Sequence, residues 1–488
     1  MLRLPPCGLR HYLADMAIHD ETQGNPELTQ ANSAGWALIG LLLTMLLSSL
    51  GTSVANVALP TLARVFNAPF GQVQWIVIAY LLAITALIIG AGRLGDVIGR
   101  RRLMLAGITV FTAASMLCAV ASSIWMLIAA RALQGVGAAV MMALTLALVS
   151  GAVPKARTGS AMGLLGTMSA IGTALGPSLG GVLIASVGWR WIFLMNLPLG
   201  LLALLLVWRT LPDDKPQPRA KRVRFDLLGT VVLAVTLAAY AMALTTGQGD
   251  FGIGNGLLLV AAAMGVGLFL WVEAKAPAPL ISWTMLRNPF LGAGLAMSAL
   301  VTTVVMATLV VGPFYLSGAL DLDAVRVGLV MSAGPVVAAL VGVPAGRMVD
   351  RIGSQHTTLV GLNGMALGCA LLALLPMQAG VTGYVIPLAT VTAGYAAFQA
   401  ANNTAVMTRI AADQRGVASA LLNLSRNLGL ITGASAMGAV FAVASKSPAM
   451  ETAGADAVAR GMRMTFALAA LLVVLALAIA PANTRSVK

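Results

Sequence analysis

Acidic residues are scarce in this sequence, and none of them falls within a long apolar run. Asp and Glu number 16 against 30 Lys and Arg, and charged residues make up only 9% of the chain. Soluble globular domains carry about 25% charged residues, so this composition excludes that class. The positive charges stand in short segments between apolar runs, which indicates membrane orientation rather than nucleic-acid binding.

Residues that form disulfides or bind metals are also few. The three cysteines, Cys7, Cys118 and Cys369, are far apart, and the chain has only three histidines. Such a pattern favours neither a disulfide framework nor a metal cluster. No nucleophile–base pair or phosphate-binding loop indicates an enzyme. We therefore expect a protein without cofactor or catalytic residues.

Long runs of apolar residues are abundant in the sequence. Hydrophobic residues make up 59% of the chain, and the mean hydropathy is +0.91. Apolar runs of about 20 residues are long enough to cross a bilayer. Fourteen such runs begin near Trp36, Gln74, Leu103, Trp125, Gly159, Trp191, Phe225, Gly252, Phe290, Val327, Thr357, Thr382, Val417 and Met464. The sequence predicts an all-α integral membrane protein with fourteen transmembrane helices.

A charged segment with three prolines follows the sixth run and divides the chain. With both termini in the cytoplasm, most Lys and Arg fall in cytoplasmic loops, as the positive-inside rule requires. The predicted organisation is a cytoplasmic tail (1–34), a six-helix bundle (35–209), a cytoplasmic linker (210–226), two accessory helices (225–275), a second six-helix bundle (276–482) and a cytoplasmic tail (483–488).

Two halves of the chain repeat one pattern. AGRLGDVIG, Ala91 to Gly99, aligns without a gap on AGRMVDRIG, Ala345 to Gly353, at an offset of 254 residues (345 minus 91). A second echo at an offset of 257 maps Gly159, Ala161, Leu164, Leu165, Gly172 and Gly176 onto Gly416, Ala418, Leu421, Leu422, Gly429 and Gly433. Internal duplication in an apolar chain is typical of transporters that rock one repeat against the other.

Five motifs occur in a fixed order along the first half. They are NVALP (56–60), GRLGDVIGRRR (92–102), RALQGVGAA (131–139), GTALGPSLGG (172–181) and GWRWIFLMNLPLG (188–200). Together they make the chain, from Trp36 to Pro481, resemble the 14-helix drug:proton antiporters of the major facilitator superfamily. The resemblance implies two six-helix bundles with two central accessory helices. It also implies multidrug efflux and drug resistance in a bacterial inner membrane, with the proton gradient as energy source.

The stretch GRLGDVIGRRR is either a plain cytoplasmic connection or a gate. The resemblance implies a latch on the inner gate, formed by Gly92, Arg93, Asp96, Gly99, Arg100 and Arg101. Four residues separate Asp96 from Arg100, a spacing that lets two side chains pair along one helical turn. The second copy has Ser354, Gln355 and His356 where Arg100, Arg101 and Arg102 stand. We therefore predict an asymmetric latch.

The stretch GTALGPSLGG combines small residues with a proline. Gly172, Gly176 and Gly180 recur every four residues and form a bare stripe, followed by Gly181, where another helix can approach closely. Ordinary helix packing is one interpretation, and the resemblance adds the sliding surface of exporters. Pro177 is expected to bend this helix. The repeat has Ala434 at that position, which predicts a bend in the first half only.

Two arginines, Arg131 and Arg426, fall within apolar runs. An ionisable residue inside a membrane helix is a functional hypothesis by default, because its burial is costly. The resemblance implies that Arg131 takes part in coupling, although either arginine could be structural. Amides complete the predicted pathway, namely Asn56, Gln134, Gln399, Asn402 and Asn403. Asn402 and Asn403 could instead bridge helices.

One position departs from the family pattern. Family members typically carry an acid in helix 1 before NVALP, whereas this chain has Gly51. A buried carboxylate would carry protons and pair with cationic drugs. Its absence favours neutral or anionic amphiphiles over dicationic drugs and leaves proton antiport and uncoupled export both open.

The functional expectation is a secondary active exporter that works by alternating access. The alternatives are an uncoupled or differently coupled exporter of an anionic or neutral metabolite, and an inner-membrane component of an envelope-spanning efflux assembly with a periplasmic adaptor. A membrane sensor is disfavoured, because the sequence offers no sizeable soluble output module. The expected partners are a small-molecule substrate and the lipid bilayer, with the protein acting as a monomer.

Overall fold

The structure, a computed structural model, describes residues 26–152, 158–212, 227–246, 252–275, 288–410, 415–445 and 454–480. Every regular element in these ranges is helical. The helices of the first half are α1 (Pro26–Phe66), α2 (Phe70–Ile98), α3 (Arg100–Ala119), α4 (Ile124–Ala152), α5 (Thr158–Ser186) and α6 (Trp191–Thr210). The accessory helices are α7 (Leu227–Thr245) and α8 (Ile253–Lys275).

The second half begins with α9 and ends with α14. Its helices are α9 (Pro289–Gly318), α10 and α11 (together Ala324–Ala373), α12 (Gly380–Arg409), α13 (residues 415–445) and α14 (Ala455–Ile479). Helix α13 has three parts, which are Arg415–Thr432, the π-helical turn Gly433–Met437 and Gly438–Ser445.

The number of helices is consistent with the fourteen expected. In the described residues, twelve helices are long and apolar enough to cross a membrane. One of them is the 50-residue stretch Ala324–Ala373, in which Gly353 has a non-helical φ of 81° and separates α10 from α11. The shorter apolar stretch Ile171–Ser186 belongs to α5. Dividing the long stretch and adding α5 raises the twelve to fourteen.

The predicted duplication is visible in the backbone. Gly99, between α2 and α3, has a φ of 110°, and its counterpart Gly353 has a φ of 81°. Residues other than glycine rarely adopt such positive φ angles. A glycine therefore ends the helix at the same point of each repeat. Two glycines of the later echo pack alike, since a methyl group at Gly172 would lie 2.8 Å from the Leu46 carbonyl oxygen of α1 and one at its counterpart Gly429 would meet the Ala299 carbonyl oxygen of α9.

The predicted division into tails, bundles, linker and accessory helices stays a prediction. Helix α1 begins at Pro26, inside the predicted tail 1–34. Parts of the predicted tails and linker lie outside the described ranges, namely residues 1–25, 213–226 and 481–488.

The accessory helix α7 contacts both halves. The Trp75 indole Nε1 of α2 donates a 2.9 Å hydrogen bond to Thr245 Oγ1, and the Tyr240 hydroxyl donates to Thr432 Oγ1 of α13 at 3.4 Å. Helix α8 packs on α7, since a methyl group at Gly265 would meet the hydroxyl of Thr236 and lie 3.1 Å from its Cβ. The accessory pair therefore covers the seam between α2 and α13.

Buried apolar residues form two clusters. The larger contains Phe70 and Ile76 of the first half together with Val301 and Phe314 of the second. The smaller takes its buried members only from residues 37–211, among them Ala91 of α2. We call the level of Phe70, where α2 begins, the closed end and the level of Ala91 the open end. The described halves thus share a core at the closed end.

Candidate functional site

A cavity of about 350 Å³ lies among α9, α12 and α13 of the second half. The described residues that line it are Ser298, Thr302, Tyr395, Phe398, Gln399, Asn402, Asn403, Met407, Leu422, Asn423 and Arg426. Helix α9 ends beside Phe70 at the closed end, and α10, α11 and α12 reverse direction in turn, so α12 ends at the open end. The cavity lies toward the open end, because Asn403 stands six residues before α12 ends at Arg409. Its size falls in the range of small-molecule binding sites, about 300–1,000 Å³.

Four of the residues predicted from the sequence meet in this cavity. Gln399, Asn402 and Asn403 reach it from α12, and Arg426 reaches it from α13. Asn403 also lines an adjoining depression with Thr404, Met407 and Thr408. The structure thus brings together the predicted polar residues of the second half, while their roles in transport stay predictions.

Asn402 both bridges helices and retains bonding capacity. Its Nδ2 donates to the Gly294 carbonyl of α9 at 3.2 Å, as the helix-bridging interpretation requires. Its buried Oδ1 has no hydrogen-bond partner among the described residues, and the same holds for Arg426 Nε. A buried polar atom without a partner costs about 1–3 kcal/mol. These atoms are therefore places where a ligand or a conformational change would stabilise the protein.

Other lining residues were missed by the sequence reasoning. Ser298 and Thr302 stand on α9, and each is a small polar side chain that a membrane helix accommodates without a visible motif. Tyr395 and Phe398 precede the predicted amides on α12. Tyr395 stands four residues before Gln399, and Phe398 stands four residues before Asn402. This spacing places each ring beside an amide on one helix face, which is the signal that was available.

Arg131 lies in the first half, outside the cavity, and is completely buried. Its Nε donates to the Ile76 carbonyl at 3.0 Å, and its Nη1 donates to Gln134 Oε1 at 2.5 Å. Gln134 Nε2 in turn donates to the Ser115 hydroxyl at 2.7 Å. The guanidinium carbon lies 4.1 Å from the centre of the Tyr80 ring. The described partners are thus a carbonyl, an amide and an aromatic face, with no carboxylate among them.

The position of the missing acid lies beside this cluster. A Cβ atom added at Gly51 would lie 3.1 Å from Tyr80 Oη and 3.3 Å from Phe111 Cζ. The Tyr80 hydroxyl donates to the Ser48 carbonyl at 2.9 Å. Tyr80 therefore fills the space next to Gly51 and covers Arg131 with the same ring.

Asn56 is also separate from the cavity. It is buried on α1, and its Nδ2 donates to the Thr52 carbonyl of its own helix at 3.2 Å. Its Oδ1 has no described hydrogen-bond partner. The predicted pathway residues therefore divide between two places, with Asn56, Arg131 and Gln134 in the first half and the cavity residues in the second.

The glycine stripe of α5 lies against α1. Methyl groups at Gly172 and Gly180 would lie 2.8 Å from the Leu46 carbonyl oxygen and from Val57 Cγ1 respectively, and Gly176 packs on Ser53. Gly181 differs, because it touches Ala324 and Gly328 of α10 in the other half. Only the last of the four glycines thus belongs to the contact between halves.

Pro177 lies inside α5 and its carbonyl closely approaches Gly328. The bend expected in the first half only stays a prediction, but the second half is irregular at the same point, because Ala434 at the repeat position belongs to the π-helical turn of α13. A π turn widens the helix and changes its hydrogen bonding locally. Both halves therefore interrupt the regular helix here, one with proline and the other with a π turn.

The gating stretch lies at the open end. Gly99 separates α2 from α3, so Asp96 and Arg100 stand on different helices and do not share one helical turn. Their pairing stays a prediction. The side chains of Arg93 and Asp96 lie outside the described part of the structure. Arg101 Nη2 donates to the Trp208 carbonyl of α6 at 2.5 Å. A methyl group at Gly92 would meet open space.

At the closed end, an aromatic group joins the halves. The Phe70 ring of α2 lies 4.8 Å from that of Phe314 on α9 and 5.5 Å from that of Phe441 on α13. Such edge-on and tilted packing is favourable for aromatic pairs. Sequence reasoning did not identify these residues, since isolated phenylalanines in apolar runs carry no distinguishing pattern.

Comparisons with known proteins agree with this architecture. Residues 41–434 match the model of the Major Facilitator Superfamily. The chain is 32% identical over 432 residues to multidrug resistance protein Stp of Mycobacterium tuberculosis, which covers 86% of this chain and 80% of Stp. It is 29% identical over 405 residues to riboflavin transporter RibZ of Clostridioides difficile, covering 83% of this chain and 88% of RibZ.

The fold is also that of solved transporters. A bacterial homologue of the human lysosomal transporter Spinster, in an inward-facing and unoccupied conformation, superposes with a TM-score of 0.67 at 16% identity, covering 93% of this chain and 97% of that one. At this identity the likeness concerns the fold alone. The match over residues 41–434 shows that this multi-pass membrane protein belongs to the Major Facilitator Superfamily of transporters.

Proposed function

We propose that the protein exports a small amphiphilic molecule from the cytoplasm by alternating access. The cavity that contains Asn402 and Arg426 is the substrate site in this proposal. The observation that carries it is the cavity itself, since predicted polar residues from two helices meet there beside unpartnered polar atoms. Multidrug resistance protein Stp, to which the chain is 32% identical, supports export of foreign compounds.

The open end faces the cytoplasm in this proposal. Arg100, Arg101 and Arg102 begin α3 there, and positively charged loops favour the cytoplasmic side of an inner membrane. The two halves touch at the opposite end through Phe70 and Phe314. The cavity would then load from the cytoplasm while the periplasmic side is closed, with both termini in the cytoplasm.

Proton antiport is proposed as the first candidate for energy coupling. Gly51 offers no carboxylate, and the described partners of Arg131 include none. A carboxylate at a helix end, such as Asp96, would then carry the proton. Proteoliposomes with an imposed pH gradient test this, because transport that is unchanged when the gradient is collapsed would exclude antiport and support uncoupled export.

Export itself is tested in a bacterial strain that lacks other exporters. The cells express the wild type, Asn402→Leu or Asn363→Leu, and the accumulation of fluorescent anionic, neutral and cationic compounds is measured. Asn363 is an exposed amide on α11 that donates only to its own helix, so its replacement is the matched control. We expect the wild type and Asn363→Leu to lower the accumulation of at least one compound and Asn402→Leu to lose this effect. Unchanged accumulation of every compound would refute the proposal.

A second candidate is the transport of an aromatic metabolite. RibZ, at 29% identity, is named as a riboflavin transporter, and the cavity carries Tyr395 and Phe398 beside its amides. Competition of unlabelled riboflavin with the exported dye separates this candidate from general drug efflux. A role in an envelope-spanning assembly is the remaining alternative to a monomeric exporter, and it requires that a periplasmic adaptor co-purify with the protein.

A further inference from the structure

The cavity presents positive charge to whatever enters it. Of the described residues that line it, Arg426 alone is charged and none is a carboxylate. Arginine keeps its proton in proteins, and charges interact more strongly in low-dielectric surroundings than in water. A cation that enters this part of the protein is therefore repelled, and an anion is attracted.

The backbone at Arg426 is fixed from α9. Thr302 Oγ1 donates to the Arg426 carbonyl at 3.1 Å, and Ser425 Oγ donates to the Leu295 carbonyl at 2.5 Å. These two bonds tie one turn of α13 to α9, so the guanidinium extends from a fixed main chain. Its Nε has no described hydrogen-bond partner, and a guanidinium with spare donors is suited to an anionic oxygen.

The other arginine buried in the middle of a helix does not compete for this role. Arg131 is completely buried and does not line the cavity. Its guanidinium is covered by the Tyr80 ring and donates to Ile76 and Gln134, and its Nη2, which has no described partner, is buried away from the cavity. The sequence left both arginines as candidates for meeting a negative group, and the geometry favours Arg426.

The remaining walls of the cavity are aromatic, apolar and amide. Tyr395 and Phe398 supply aromatic rings, Met407 is flexible and apolar, and Gln399 and Asn403 supply donors and acceptors. Rings favour flat aromatic molecules, and methionine adapts to varied shapes. We infer that the cavity binds planar aromatic anions, with a carboxylate, sulfonate or ionised phenol against Arg426, and rejects organic cations. This inference rests on the proposed function and specifies its substrate class.

Two xanthene dyes of opposite charge test the inference. Binding of fluorescein, an anion, and rhodamine 123, a cation, to the purified full-length protein is measured by fluorescence polarisation. We expect fluorescein to bind the wild type and rhodamine 123 not to bind. Arg426→Gln should weaken fluorescein binding at least about tenfold, whereas Arg426→Lys should keep most of it. Arg209→Gln removes an exposed charge from the end of α6 and should leave binding unchanged.

Several results would overturn the inference. These are binding of rhodamine 123 as tight as that of fluorescein, failure of fluorescein to bind, and fluorescein binding that Arg426→Gln does not weaken. Thermal unfolding of each variant verifies that it is folded, and Arg426→Lys supplies the comparison if Arg426→Gln unfolds. Cells that export rhodamine 123 but not fluorescein would retain the exporter and refute the anion selectivity. Cells that export no compound of any charge would refute the proposed function itself.

Discussion

Gln74 of α2 donates its Nε2 proton to the carbonyl oxygen of Ala434 on α13 at 2.6 Å, so a side chain of one half bonds to the backbone of the other. Ala434 belongs to the π-helical turn Gly433–Met437. A π turn disturbs the regular bonding of a helix and often marks a functional position. The turn thus supplies an acceptor for the other half at the repeat position of Pro177.

Replacement of Gln74 by leucine should favour separation of the halves at the closed end. One hydrogen bond contributes about 0.5–1.5 kcal/mol, so the ratio of closed to separated molecules should fall about two- to tenfold. Spin labels at Val187 and Arg460, both exposed near this end, report the separation by pulsed electron paramagnetic resonance. Gln72→Leu, two residues earlier on α2, is the control. Equal distance distributions for the two variants would contradict the role of Gln74.

Two adjacent glycines of α5 should respond differently to the same substitution. Gly181 touches Ala324 and Gly328 of the other half, whereas Gly180 touches Val57 and Val54 of α1. Gly181→Val should therefore separate the halves at the closed end, as measured with the same spin labels. Gly180→Val should leave that distance unchanged and destabilise the first half by about 1–3 kcal/mol through overpacking, as measured by thermal unfolding. Separation of the halves by both variants would show that the stripe slides as one surface, and separation by Gly180→Val alone would contradict the assignment of these contacts.

Much of the fold could be predicted because it depends on local patterns. Apolar runs locate membrane helices, and the run expected near Leu103 corresponds to α3 beginning at Arg100. The repeated stretches AGRLGDVIG and AGRMVDRIG end in Gly99 and Gly353, and both of these glycines adopt positive φ. A glycine at the end of an apolar run predicts such a break directly. The break also falls between Asp96 and Arg100, so the two do not share a helical turn, and their pairing stays a prediction.

The site was predictable only in part. Polar residues in apolar helices stand out in the sequence, so Asn402 and Arg426 can be predicted as functional residues. That they line one cavity is visible only in the structure. The contact between Gln74 and Ala434 joins positions 360 residues apart. It depends on how the two halves meet, which no local pattern encodes. The π turn depends on the same packing, since nothing in the letters GASAM distinguishes it from an ordinary helix.

Restoring an acid at Gly51 should require room that Tyr80 now occupies. A Cβ atom there would lie 3.1 Å from Tyr80 Oη, so Gly51→Asp alone should destabilise the protein by about 1–3 kcal/mol. Tyr80→Ala made together with Gly51→Asp removes the obstruction and uncovers Arg131 for the new carboxylate. Transport by this double variant should depend more on a pH gradient in proteoliposomes than transport by Tyr80→Ala alone. Wild-type stability of Gly51→Asp would contradict the packing argument.

The two copies of the gating stretch should differ in importance. Asp96 is followed by Arg100, Arg101 and Arg102 at the start of α3, and Arg101 bonds to the Trp208 carbonyl. Asp350 is exposed and is followed by Ser354, Gln355 and His356, which offer no arginine. A carboxylate near a cluster of arginines interacts more strongly than one without it, so Asp96→Asn should reduce transport far more than Asp350→Asn. Initial export rates in cells, normalised to the amount of protein in the membrane, measure the difference. Equal losses would mean that the latch is symmetric and that the arginine cluster serves only to orient the protein in the bilayer.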